Sequence, residues 1–318
     1  MIGVVGAGAF GTALAVALAR SGHEVRLWAR SPAQVAEMRV TRRNEARLPG
    51  VELPDSVLVE AGIAALGDCE TVLLALPMQQ MRGFLADHGV GLRAKTLVAC
   101  CKGLDLTTLT GPTGLIHEAA PGVQAAILTG PSFAADIARG LPTALTLAGA
   151  FDLAPLQAQL STPVLRLYAQ SDVMGAELGG ALKNVIAIAC GIVIGAGLGE
   201  SARAALLTRG YAEMLRLAKT LGARPETLAG LSGLGDLVLT CTSPQSRNFR
   251  HGLAIGGGAV PDPGVTVEGV ATARAVNRLA QTQGLDLPIS AMVAAIVSHA
   301  IPLDAAIRAL MTRPLTQE

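Results

Sequence analysis

Six residues close to the start constrain this chain more than any others. Gly6-Ala7-Gly8-Ala9-Phe10-Gly11 comes directly after the apolar run Ile2–Val5 and opens a second apolar stretch with helical spacing, Thr12–Ser21. The pattern G-x-G-x-x-G is weak alone, but between a strand and a helix it is the turn that receives the phosphates of a dinucleotide. Its first glycine permits the turn, its second lets a pyrophosphate come against bare backbone, and its third lets the helix pack closely on its strand. The first turn of the helix adds unpaired N–H groups aimed at the anion. The competing reading is a structural turn in a chain that holds 37 glycines. The strand before it and the helix after it favour the dinucleotide.

A dinucleotide site makes a demand about twenty residues further on, where the second strand ends beside a ribose. That strand, Val25–Trp28, runs into Ala29-Arg30-Ser31, with no Asp or Glu. An acid there would accept from a 2′-hydroxyl and repel a 2′-phosphate, whereas a guanidinium and a hydroxyl attract the phosphate. The expectation is a preference for NADP, with NAD left open. The alternative is that Arg30 is an ordinary surface arginine.

Beyond the turn, short β-branched or aliphatic runs alternate with helical patterns. Strands are expected at Ile2–Val5, Val25–Trp28, Val72–Leu76, Thr96–Ala99, Ala125–Leu128, Ala144–Leu147 and Val164–Leu167, with helices such as Thr12–Ser21 and Gln79–His88 between them. Such alternation predicts an α/β fold with a doubly wound parallel sheet covered on both faces. From about Asp172 the strand signals stop. Asp172–Ile194, Ser201–Leu221, Val270–Gln283 and Ile289–Ala300 read as helices broken by Gly-rich turns. The chain therefore divides near Ser171 into an α/β domain, 1–171, and an all-helical C-terminal domain, 172–318.

Composition removes several classes of function. With 51% apolar and 15% charged residues over 318 positions, the chain is no disordered tether. A net charge of +1 and 3% aromatic residues leave neither the basic surface nor the stacking platforms that nucleic-acid binding uses. The uncharged run Met1–Ala19 lacks the basic start of a signal peptide, since the first Lys or Arg is Arg20. A second apolar run, Val185–Leu198, falls short of the ~20 residues of a membrane span. The cysteines (Cys69, Cys100, Cys101, Cys190 and Cys241) are odd in number and form no C-x-x-C pair. They argue against disulfides and bound metal, and for a reducing cytoplasm.

Arginine is the default base in this chain, so its four lysines stand out. Lys95 and Lys219 sit among polar residues and read as surface. Lys102, in Ala99-Cys100-Cys101-Lys102-Gly103, lies just past an apolar strand, at the carboxyl edge where ligands of open α/β sheets bind. Lys183 stands in Gly179-Gly180-Ala181-Leu182-Lys183-Asn184-Val185-Ile186-Ala187-Ile188, a helix apolar on nearly all sides. Against the reading of a lysine that snorkels to solvent, those surroundings favour a desolvated one with a lowered pKa, able to serve as a general base near neutrality. Small residues one turn either way, Gly179 and Ala187, leave room for a ligand or another backbone. Downstream, Ser232-Gly233-Leu234-Gly235-Asp236 places an acid after two glycines. Ser246-Arg247-Asn248 gathers a hydroxyl, a guanidinium and an amide that suit a phosphate monoester. Helix caps produce the same letters. Gly130-Pro131-Ser132-Phe133-Ala134 is open in the same way, as a helix start or an anion cradle.

Taken in order, these segments resemble one family, the bacterial NAD(P)-dependent glycerol-3-phosphate dehydrogenases. The likeness is carried by the stretches 6–15, 102–104, 130–134, 180–188, 233–242, 246–248 and 267–269, and runs from residue 1 to about residue 310. It implies a Rossmann-type N-terminal domain, a helical substrate domain and a homodimer. The implied reaction interconverts dihydroxyacetone phosphate and sn-glycerol 3-phosphate and feeds phospholipid synthesis. Carried over by motif, Lys183 is the proton acceptor. Lys102, Gly130, Ser132, Lys183, Asp236, Ser246, Arg247 and Asn248 surround the glycerol phosphate. Ala9, Phe10, Arg30, Lys102, Ala134, Arg247, Thr266 and Glu268 join Gly6, Gly8 and Gly11 around NADP or NAD. Three positions depart from the family pattern: Ala9 where Ser is usual, Arg47 where Tyr is common, and Thr266 where an aliphatic residue is usual. None removes a group that the reaction needs.

The resemblance further implies that neutral Lys183 takes the C2 hydroxyl proton as hydride leaves C2, in a cleft between the domains. Asp236 and Asn184 are the candidates to orient it. Two-domain dehydrogenases of the 6-phosphogluconate or hydroxyacyl-CoA type share the nucleotide turn but not Gly-Leu-Gly-Asp followed by Ser-Arg-Asn. A non-catalytic nucleotide sensor would need none of Lys183, Lys102 and Asp236.

Overall fold

The computed structural model describes residues 1–92 and 94–312. Among these, β1 (Ile2–Val5), β2 (Val25–Trp28), β3 (Val57–Glu60), β4 (Thr71–Leu74), β5 (Thr96–Ala99), β6 (Gln124–Thr129), β7 (Thr143–Gly149) and β8 (Leu165–Gln170) form one sheet. Its order is β3-β2-β1-β4-β5-β6-β7-β8. The strands from β3 to β6 all run parallel. Apolar side chains fill both faces, Val4, Leu27 and Leu73 on one and Val5, Leu74 and Ala99 on the other. The winding reverses between β1 and β4. The carboxyl ends of strands at such a reversal are where an open α/β sheet binds its ligand.

Two expectations about the sheet need correction. β3 was not anticipated: it is a four-residue edge strand whose Leu58 is exposed, so its apolar run is too short and too interrupted to stand out. The sheet is also not wholly parallel, because β7 runs antiparallel to β6. The connection between them holds only the helix Ala134–Ala138, too short to run back along the length of β6 as the helix of a parallel crossover does.

The helical half is built around one buried element. The helix Val173–Gly195 starts on Asp172, whose side chain accepts from the Gly175 N–H at 2.9 Å, and it is buried from Gly175 through Val193. At 23 residues it is long and apolar enough to cross a membrane, yet 89% of its most apolar window is buried inside the protein. It is longer than the run Val185–Leu198 because Lys183 and Asn184, which interrupt the apolar pattern, are themselves buried. The helices Gly199–Thr220, Asp236–Thr242, Arg247–Gly256, Glu268–Gln283 and Pro288–Val297 pack around it. The closest approach is to Arg247–Gly256. A Cβ on Gly191 would strike the Phe249 carbonyl, and one on Gly252 would strike that of Ile188. Glycine on both helices lets the two backbones touch.

Candidate active site

The glycine-rich turn sits where β1 ends, beside the end of β4. Gly6 takes φ +106°, and a Cβ there would press on the Ala75 carbonyl. Gly8 has nothing within 4 Å of the place a side chain would occupy, whereas a Cβ on Gly11 would overlap the Gly6 carbonyl. The helix Ala9–Arg20 begins with no side-chain cap and no acid in its first turn. Open space over Gly8, bare backbone and unpaired N–H groups fit the pyrophosphate of a dinucleotide. Phe10 and Ala134, both half-buried, pack against the same small apolar cluster, which includes Ala13, Ala17, Leu48 and Ile137. Arg30 is exposed at the end of β2 and forms no ion pair among the described residues. The Ser31 hydroxyl accepts from the Gln34 N–H at 3.3 Å as the cap of helix Pro32–Thr41.

The two distinctive lysines converge on one carboxylate. Lys102, just past β5, donates from Nζ to Asp236 Oδ2 at 2.5 Å and to the Gly130 carbonyl at 3.1 Å. Lys183 donates to Asp236 Oδ1 at 2.6 Å and to Thr240 Oγ1 at 2.9 Å. Asp236 is 1% exposed and Lys183 6%. Burial pushes the Lys183 ammonium down to about 8; Asp236 pulls it back up, and Lys102 adds to the lowering. The lysine thus stands ready to gain or lose a proton near neutrality.

Local backbone explains how Asp236 arrives there. Leu231–Gly235 forms a single wide π-type turn, closed by the Gly235 N–H on the Gly230 carbonyl at 3.1 Å. Turns of this kind recur at functional sites. Asp236 then opens the helix Asp236–Thr242. A Cβ on Gly179 would collide with the Ser232 carbonyl. Of the two options for that small residue, it is a backbone that comes close, and the turn lies flat on the central helix. Ala187 is plain core.

Gly130 takes φ +138°, and its carbonyl receives both Lys102 and the Ser132 hydroxyl, the latter at 3.3 Å. Ser246 is the buried cap of helix Arg247–Gly256, accepting from the Phe249 N–H at 3.2 Å, and Arg247 is exposed. Asn248 is a strut among three helices: its Nδ2 donates to Asn184 Oδ1 at 2.8 Å and its Oδ1 accepts from the Gly269 N–H at 2.9 Å. Its second Nδ2 hydrogen is left for a ligand. Asn184 does not orient Lys183, because its amide is engaged with Asn248 and, weakly, with the Gly180 carbonyl. Glu268 opens helix Glu268–Gln283; burial pushes its carboxyl up, while Arg247, the Met78 N–H, Lys102 and Lys183 hold it down. Thr266 is exposed in the preceding loop.

Lys102, Gly130, Ser132, Lys183 and Asp236 therefore form one bonded cluster, with Arg247 and Glu268 in electrostatic reach of one another. Lys102, Lys183 and Arg247 outnumber the two acids, which suits an anionic substrate. Sequence reasoning missed Thr240, although its position four residues after Asp236 places both on one helix face. It also missed Thr129 at the end of β6, whose buried hydroxyl has no hydrogen-bond partner among the described residues.

Comparisons with known proteins show the family of the chain. Residues 1–152 match the model for the NAD-dependent glycerol-3-phosphate dehydrogenase N-terminus, and residues 172–308 match that for the C-terminus. A glycerol-3-phosphate dehydrogenase [NAD(P)+] of Cereibacter sphaeroides is 63% identical with both chains covered in full, and one of Ruegeria sp. is 58% identical over all of this chain and 99% of the relative. A crystal structure of glycerol-3-phosphate dehydrogenase from Coxiella burnetii superposes with a TM-score of 0.94 at 36% identity, covering 98% of each chain.

Proposed function

Because the chain belongs to the NAD-dependent glycerol-3-phosphate dehydrogenase family, we propose that Lys183 is the proton carrier of an enzyme that interconverts dihydroxyacetone phosphate and sn-glycerol 3-phosphate. The observation that carries this reading is the buried Lys183–Asp236–Lys102 chain. A bound nicotinamide supplies or takes the hydride at C2. In the reductive direction the Lys183 ammonium gives its proton to the C2 oxygen, and in the oxidative direction the neutral amine takes it. Asp236 and Thr240 aim the amine, since both are bonded to Nζ. Lys102 and Arg247 supply positive charge for the phosphate, with Ser246, Ser132, Gly130 and the free Asn248 hydrogen beside them. Proton transfer by a placed group contributes roughly 10²–10⁴-fold, so positioning and charge complementarity supply the rest.

The cofactor is NADP or NAD. Preference for NADP rests on Arg30, exposed at the end of β2 without an ion pair among the described residues. Gly6, Gly8, Gly11, Ala9, Phe10, Ala134, Thr266 and Glu268 complete its surroundings in this reading. The domain boundary falls near Ser171, supported by β8 ending at Gln170 and the central helix opening at Val173. The enzyme acts as a cytoplasmic homodimer that supplies phospholipid synthesis. The cytoplasm is supported by cysteines that are all free and buried, and the dimer by family likeness alone.

The direct test follows absorbance at 340 nm with dihydroxyacetone phosphate and with unphosphorylated dihydroxyacetone. The phosphate ester is reduced and the free ketone is a very poor substrate. Equal kcat/KM for the two would remove the phosphate-binding assignment.

A further inference from the structure

Between helix Pro32–Thr41 and β3 the chain makes an excursion that the reaction as described does not use. It ends that helix on Arg42 with φ +54° and folds back through a bridge between Arg43 and Glu52. Asn44 lies within it, 2% exposed, the most deeply buried polar residue of the segment. Its Nδ2 donates to the Ala7 carbonyl at 3.0 Å and to Thr12 Oγ1 at 2.8 Å. Gln34 Nε2 donates to the same Ala7 carbonyl at 2.8 Å and to Asn44 Oδ1 at 3.2 Å. The Asn44 backbone carbonyl in turn accepts from the N–H groups of Arg47 and Leu48, at 3.1 and 2.8 Å, which fixes the excursion on itself.

We propose that Asn44, assisted by Gln34, is a positioning residue for the dinucleotide: it holds the Ala7–Gly8 peptide so that the Gly8 N–H faces the pyrophosphate. In a trans peptide the carbonyl and the following N–H point in opposite directions, and no peptide among the described residues is cis. Two amide donors drawing the Ala7 oxygen toward Asn44 and Gln34 aim the Gly8 N–H the other way, and over Gly8 there is open space. A glycine at position 8 has the weakest conformational preference of any residue. Without an outside restraint that peptide would rotate, and the anion site would exist only part of the time. Asn44 also grips Thr12 on the first turn of the following helix, so turn and helix are held as one unit. Binding energy otherwise lost in ordering the turn is retained.

The inference rests on the dinucleotide reading of the turn, and the experiment separates the two. NADPH, NADH and ADP-ribose are titrated calorimetrically against the wild-type full chain and the Asn44→Ala, Gln34→Ala and Arg30→Ala variants, with thermal unfolding followed in parallel. Asn44→Ala weakens all three ligands by a common factor of about 5- to 15-fold, the scale of one or two neutral hydrogen bonds. Gln34→Ala does the same by a smaller factor, and kcat at saturating cofactor stays near wild type in both. Arg30→Ala weakens NADPH alone. Unchanged dissociation constants in folded Asn44 and Gln34 variants overturn the proposal while leaving the dinucleotide site intact. A lowered kcat with unchanged binding also overturns it. A wild type that binds none of the three ligands overturns the dinucleotide reading itself. If Asn44→Ala does not fold, the half-buried Gln34 position decides the matter.

Discussion

Burial and two charged neighbours set the proton affinity of Lys183. Burial lowers it most, Asp236 raises it, Lys102 lowers it again, and the balance lies at about 8. At pH 7 roughly a tenth of such a group is neutral. The sign then differs between directions. With Lys183 as the proposed proton carrier, reduction uses the ammonium, so kcat/KM for dihydroxyacetone phosphate falls as pH rises through about 8; oxidation uses the amine and rises over the same interval. Pre-steady-state or steady-state profiles between pH 6 and 10 check this, and curves flat across that range in both directions count against it. Lys183→Ala lowers kcat by at least ~10²-fold. Its affinity for NADPH, measured by titration, stays near wild type because the phosphate turn lies elsewhere. Normal turnover in a folded Lys183→Ala protein would make this lysine structural.

Helix Arg247–Gly256 carries Ser246, Arg247 and Asn248 at its start, and its glycines decide how near the central helix they come. Gly252 meets the Ile188 carbonyl and Gly256 that of Ile192, so any side chain there forces the helices apart. Gly252→Ala destabilises the fold by about 1–3 kcal/mol, the usual effect of overpacking. It also reduces turnover, since the displaced helix moves Asn248 off Asn184. Gly83, in helix Met78–His88, has open space where its Cβ would lie. Gly83→Ala is neutral or stabilises by about 0.5–1 kcal/mol. Urea denaturation of the two variants side by side distinguishes a packing role from a general intolerance of glycine replacement.

Across the molecule, Glu177 ties the helical half to the nucleotide half. It projects from the central helix and its Oε1 accepts the Thr113 N–H at 2.8 Å and the Thr113 hydroxyl at 2.7 Å, at the start of helix Pro112–Ala119. Burial raises its pKa, and the two Thr113 bonds only partly offset that. A raised folded pKa means that the native state binds the proton more tightly than the unfolded chain. This contribution to stability is complete below the unfolded value of ~4.3 and is lost as pH rises through the folded one. Glu177→Gln removes the titration. Relative to wild type, the Gln variant gains stability as pH rises from 4 to 8, whatever its offset at the acid end. Thermal unfolding of both proteins at several pH values checks the sign, and parallel curves would place the titration elsewhere.

The local parts of this protein were written in its sequence. β1, β2 and β5 occupy the residues their apolar runs mark, and the glycine-rich turn falls between strand and helix as its spacing requires. The unusual Lys183 was legible because an ionisable residue in an all-apolar helix conflicts with its surroundings, and such conflicts gather at functional sites. What the tertiary structure alone decided is partnership. Asp236 reaches Lys183 across 53 positions and Lys102 across 134, and Asn248 reaches Asn184 across 64. Asn184, next in sequence to Lys183, turns to a different partner. The antiparallel β7, the exposed edge strand β3 and the hold of Asn44 on the Ala7 carbonyl belong to the same class. Periodicity and turn chemistry act over a few residues, so one sequence window contains their cause. A long-range hydrogen bond depends on how whole elements pack, and no window contains that.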